Sequence, residues 1–152
     1  MQARLNAHHA APDAMKPLLA LSEYVNHCGL EPALLELVKT RASQINGCAF
    51  CVHMHTRDAR ARGESEERLY LLSAWRESPL YTERERAALA WTEALTLVAE
   101  THAPDDVYDE ARRHFSEAEL VKLSVAIGLI NTWNRIAIGF RTVHPSASGK
   151  PS

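Results

Sequence analysis

Apolar residues recur at helical spacing along most of the chain, and residues that start or stop helices stand between them. Residues 1–12 are small and polar-tinged and are expected as a flexible N-terminal tail. Asp13 can cap a first helix running to about His27, with Gly29 ending it. Glu31-Pro32 puts Pro in the first turn of a second helix, whose Leu34, Leu35, Val38, Ala42 and Ile45 keep a period near 3.6 until Asn46-Gly47 breaks it. A third helix is expected from about Cys48 to Gly63, and Ser65 can cap a fourth that stops before Pro79. Thr82-Glu83-Arg84-Glu85 and Ser116-Glu117-Ala118-Glu119 both fit a capping box. The first opens a helix through Val98, and the second opens a long helix to about Ile138. Pro104 to Phe115 reads as a short helix between them.

No stretch sustains period-2 alternation. The pattern predicts an all-α, single-domain helical bundle of six to seven helices over residues 13–143, followed by a flexible Ser- and Pro-rich tail over 144–152. The last helix is apolar around much of its circumference through Leu120, Leu123, Val125, Ile127, Leu129 and Ile130, so it belongs in the middle of the bundle or in a subunit interface. Asn131-Thr132-Trp133-Asn134-Arg135 interrupts that apolar run. Its polar groups need partners, which makes it a buried hydrogen-bond network, a subunit contact or the wall of a pocket. Trp75 and Trp91 read as core, and Thr82–Arg86 as a solvated helix start.

Composition narrows the class. The chain has 152 residues, 46% hydrophobic and 24% charged, with a formal net charge of −2. That balance supplies no strong basic field, which argues against nucleic acid or an anionic membrane as the main partner. The most apolar window, Leu123–Ile130, is far too short to span a bilayer. Met1 to Asp13 contains no apolar core of a secretory signal, so a cytoplasmic location is expected. Three cysteines are too few, and odd in number, for a secreted disulfide scaffold. Cys48 and Cys51 stand close together. Cys28 stands apart and reads as a small buried hydrophobe.

The chemistry concentrates in Gly47-Cys48-Ala49-Phe50-Cys51-Val52-His53-Met54-His55. Cys48, Cys51 and His55, at successive spacings of three and four, form one stripe on a helix. The pair sits at the helix start, where free N–H groups and the dipole favour thiolate, the reactive form of cysteine. Glu36 lies on the preceding helix. If the Asn46-Gly47 break folds the two helices antiparallel, the chain runs back about 15 Å from Glu36 and returns about 12 Å to His55. A carboxylate at that level would orient the imidazole and raise its basicity. The residues alone support a redox-active pair with a nearby base. They also leave open a metal-binding module with Cys48, Cys51 and His55 as ligands and His27, Cys28 or Glu36 as a fourth, though the second ligand pair of a structural zinc site is missing. A non-catalytic oligomeric binding protein stays open too, whereas a thioredoxin-like fold would need strands.

Glu36-x11-Cys48-x2-Cys51-x3-His55, with Lys39–Gly47 before it and Asn131–Arg135 in the last helix, resembles the signature of the alkylhydroperoxidase D-like (carboxymuconolactone decarboxylase-like) family. The resemblance spans residues 15–140. It implies an all-helical homo-oligomer, trimer or hexamer, that reduces hydroperoxides through thiols without metal, flavin or other cofactor. It further implies that Cys51 attacks the peroxide and becomes a sulfenic acid. Cys48 would resolve it as a Cys48–Cys51 disulfide, and His55, positioned by Glu36, would move the protons. A dithiol donor, a lipoyl or thioredoxin-like protein, would then reduce the bond at the more accessible sulfur, expected to be Cys48. In the fuller peroxidase pattern the residue before the second cysteine is also His. Phe50 stands there instead, which removes one member of the proton relay, and His53 lies off the stripe. A decarboxylase of the same fold is the alternative, in which the cysteines would be incidental.

Overall fold

The computed structural model describes residues 2–145, which form nine α-helices and one 3₁₀ segment with no strand among them. In order these are α1 (Ala7–Ala10), α2 (Pro12–Asn26), α3 (Pro32–Asn46), α4 (Ala49–Ala61), α5 (Glu66–Leu71), the 3₁₀ segment Leu72–Glu77, α6 (Glu83–Thr96), α7 (Val98–Thr101), α8 (Asp105–His114) and α9 (Glu117–Gly139). The all-α architecture expected from the periodicity is present. Seven of these helices correspond to the seven expected stretches. The count is higher because two single turns, α1 and α7, add to them.

The punctuation explains the boundaries. Thr82 and Ser116 both form complete capping boxes with Glu85 and Glu119. Asp13 caps nothing. Pro12, which needs no N–H partner, takes the first helical position instead, and Asp13 falls in the first turn. In the stretch expected as a tail, Asn6 caps α1 by accepting the His9 N–H. Arg4 donates its backbone N–H to Phe140 O (2.9 Å) and Nη1 to Gly139 O (3.1 Å), carbonyls that the end of α9 leaves without helical partners. Of the expected C-terminal tail, residues 146–152 lie outside the described residues.

α3 is the centre of the bundle and packs against α4, α6 and α9. Leu35, Leu37, Val38, Thr40, Ala42 and Ser43 are all essentially buried, so this helix is covered on every side. One core joins Val25, Leu34 and Leu35 to Trp91, Phe115, Leu123 and Ile127. Another gathers Leu37, Leu72, Trp75 and Leu89, so Trp75 and Trp91 are core residues. A third, smaller cluster holds Ala42, Cys48, Cys51, Ile130 and Ala137. No helix among the described residues is long and apolar enough to cross a membrane.

Candidate active site

The reversal between α3 and α4 builds the site. Gly47 adopts φ +70°, the left-handed region that glycine enters without penalty, and its N–H closes on Ser43 and Gln44 carbonyls. The Cys48 N–H also returns to Ser43 O at 2.9 Å. Asn46 then fastens the turn to α9, donating Nδ2 to Asn131 Oδ1 (2.9 Å) and Asn134 Oδ1 (2.8 Å). Asn134, fully buried, donates onward to Ser43 Oγ (3.0 Å), and Asn131 donates to Thr96 Oγ1 (3.1 Å). The polar run of the last helix is therefore the buried network its sequence demands, and it holds the start of α4 in place.

Cys48 is the N-cap of α4. Its Sγ accepts the Cys51 N–H at 3.3 Å, and the two cysteines are joined by a disulfide with Cα atoms 5.3 Å apart. On reduction, a thiolate at Cys48 would keep this N–H and the positive end of the helix dipole. Both cysteines are buried, at 1% and 2% exposure.

One helical turn beyond Cys51, buried His55 meets Glu36 as the antiparallel reading requires: His55 Nδ1 lies 2.9 Å from Glu36 Oε2. Nδ1 donates to the carboxylate, which leaves Nε2 as the nitrogen available for proton transfer. The other carboxylate oxygen, Oε1, accepts from Lys39 Nζ at 3.3 Å, and Lys39 donates to Asn26 Oδ1 at 2.9 Å. Burial pushes the Glu36 carboxyl up. The His55 hydrogen bond and the Lys39 ammonium outweigh it and hold the group below its ordinary 4.5. Glu36 is thus an ionised carboxylate buried beside an imidazole, neutralised by an adjacent ammonium.

Two adjoining cavities open onto this machinery. One, of about 410 Å³, reaches Glu36, Lys39 and His55 past Leu129, Ile130 and Trp133. The other, of about 420 Å³, reaches Cys51 past Ile136, Ala137 and Val143. Phe50, Met54, Trp133 and His8 line both. Both cysteines are buried, and Cys51 rather than Cys48 lines this cavity, whereas the expectation was that Cys48 is the more accessible sulfur. Trp133 also makes the polar run a pocket wall, its Nε1 anchored on Ser22 Oγ at 3.0 Å.

The remaining candidates separate from the site. Cys28 is buried in the Val25–Leu30 core, away from the pair. His53 stacks on His144 with ring centroids 4.7 Å apart, and its buried Nε2 has no partner among the described residues. The ligand set imagined for a metal does not assemble around the thiols, because the two sulfurs are bonded to each other. The ligand atoms that do come together are those of Glu36, His55 and Asp58. Lys39 and Asn26 escaped the sequence reading. Lys39 carried a signal, since it lies one turn from Glu36 on the same helix face. Asn26 carried none, since its role arises only from the packing of α2.

The family described as the carboxymuconolactone decarboxylase family matches residues 12–94. Uncharacterized protein YdfG of Bacillus subtilis (strain 168) is 42% identical over 138 residues, covering 91% of this chain and 94% of the relative. A crystal structure of an Agrobacterium tumefaciens protein of unknown function, suggested to be the antioxidant defence protein AhpD, shares 55% identity with a TM-score of 0.93. That match covers 95% of this chain and 99% of the other. The debrominase Bmp8 superposes with a TM-score of 0.79 at 19% identity, covering 93% of this chain and 75% of its own, a likeness of fold.

Proposed function

The chain belongs to the carboxymuconolactone decarboxylase family, and from that premise we propose that it is a thiol-dependent peroxidase of the alkylhydroperoxidase D type. The observation that carries this reading is the Cys48–Cys51 disulfide at the start of α4, one turn from a buried His55–Glu36 pair and open to a cavity through Cys51. A metal-binding role would need free thiolates where the structure has a bonded pair. It would also compete with the Lys39 ammonium for Glu36. A decarboxylase would leave the pair without a task.

In the proposed cycle, the Cys51 thiolate attacks the terminal oxygen of a hydroperoxide. The O–O bond breaks, Cys51 becomes a sulfenic acid, and the alkoxide leaves to take up a proton. Cys48 gives its proton toward His55 Nε2 and attacks the Cys51 sulfur, releasing hydroxide that leaves as water. Glu36 holds the imidazole in the tautomer this transfer needs and stabilises its protonated form. A dithiol reductant, a lipoyl or thioredoxin-like protein in the cytoplasm, then attacks the disulfide through the cavity at Cys51. Cys48 becomes the leaving thiolate, stabilised at its N-cap position. Assembly into a homo-oligomer, trimer or hexamer, belongs to this reading through the family resemblance.

The test is peroxide consumption with a small dithiol, in wild type and in Cys51→Ser. Wild type is expected to turn over and Cys51→Ser to be inactive. Full activity of Cys51→Ser overturns the assignment.

A further inference from the structure

Phe50 stands where the peroxidase pattern has a histidine, and its ring can carry no proton. Yet the cavity at Cys51 does contain an imidazole. Besides Cys51, His8 is the one titratable side chain lining it, and it also lines the adjoining cavity at His55. His8 comes from α1, which is held down from both sides. Arg4 is bonded to the α9 carbonyls at Phe140 and Gly139, and the His8 ring stacks on Trp133 at a centroid distance of 6.3 Å. The imidazole makes no hydrogen bond to another described residue, and its outer side is exposed. It therefore joins solvent to the cavity. The charged and titratable groups around it are Arg4 and His9 on its own segment, Glu36 and Lys39 from α3, and Cys51, His55, Asp58 and Arg62 on or just beyond α4. The residues of α2 and α9 that line the two cavities carry none.

We propose that His8 is the proton donor to the departing alkoxide when Cys51 reacts, taking over in space the role that Phe50 cannot fill. This rests on the peroxidase reading of Cys51. The step balances: the Cys51 sulfur supplies the electron pair and takes the terminal OH, while the alkoxide takes one proton from the His8 imidazolium and leaves as an alcohol. His8, exposed on its outer side, regains a proton from water. An imidazole suits this because it can carry a proton on one face of the ring and exchange it with water on the other.

General-acid help matters most for a basic leaving group and little for an acidic one. The experiment is therefore a comparison of tert-butyl hydroperoxide, which expels an alkoxide, with peracetic acid, which expels acetate. Both are reacted with pre-reduced protein in a stopped-flow instrument. His8→Gln is expected to raise the peracid-to-alkyl rate ratio by about 10²-fold. His8→Gln combined with Phe50→His is expected to bring the ratio back toward wild type by restoring an imidazole to the same cavity. A loss of packing alone would slow both oxidants together, so an unchanged ratio in His8→Gln overturns the proposal. If reduced wild type reacts with neither oxidant, the peroxidase reading falls, and this proposal falls with it.

Discussion

Glu36 carries more of the site than any other single side chain. It orients His55 through Oε2 and balances Lys39 through Oε1, with both partners buried. Glu36→Gln keeps the shape but removes the charge. It is expected to lower peroxide turnover at least about tenfold, because the imidazole loses the group that stabilises its protonated form. It also leaves the Lys39 ammonium buried without a counter-charge, at a cost of about 3–5 kcal/mol, which chemical denaturation would measure. At this scale the thiols, His55 and Glu36 were legible because all four follow from spacing on two helices joined by a glycine turn. Lys39's ion pair was half legible. Asn26, Ser22 and His8 were not, since each reaches the site from an element whose position no local pattern records.

At the scale of elements, the site depends on how sharply α3 turns into α4. Gly47→Ala would place a Cβ in open space, so its cost is backbone strain alone, about 1–2 kcal/mol for a left-handed residue. Asn134→Ala removes the bonds to Asn46 and Ser43, whose groups keep their bonds to Asn131 and the Lys39 carbonyl, so the cost is that of the two lost bonds, about 1–3 kcal/mol. Thermal denaturation should rank both below wild type. The rate of Cys51 alkylation in the reduced protein should change in Asn134→Ala, where the helix start is freed from α9. Helix boundaries were readable where capping boxes or prolines mark them, as at Thr82, Ser116 and Pro32. They were misread at Asp13, where Pro12 claims the first helical position. The single turns α1 and α7 were missed because four residues carry too little periodicity to register.

Across the whole molecule, the buried carboxylate Glu36 and the half-buried Glu93 shape the response to acid. Burial raises Glu93, but hydrogen bonds from Trp75, Arg76 and Arg41 outweigh it and hold it below 4.5, as His55 and Lys39 do for Glu36. A carboxyl depressed in the folded state contributes stability that is present above its unfolded value and is lost as pH falls through the folded one. The melting temperature should therefore be little affected by these two groups near neutrality and fall once pH drops below about 4.5. Glu93→Gln should lower the plateau and flatten the acid slope. Fold class was legible at this scale because helical periodicity and capping agree along the whole chain. The central place of α3 was not, since a helix buried on every side shows little apolar asymmetry. In the proposed cycle, peroxide reacts at Cys51. Reduced Cys48→Ser, given one equivalent of hydroperoxide in the presence of dimedone, tests it by peptide mass spectrometry. One dimedone adduct is expected, on Cys51. Consumption of the peroxide with Cys51 unmodified would contradict it.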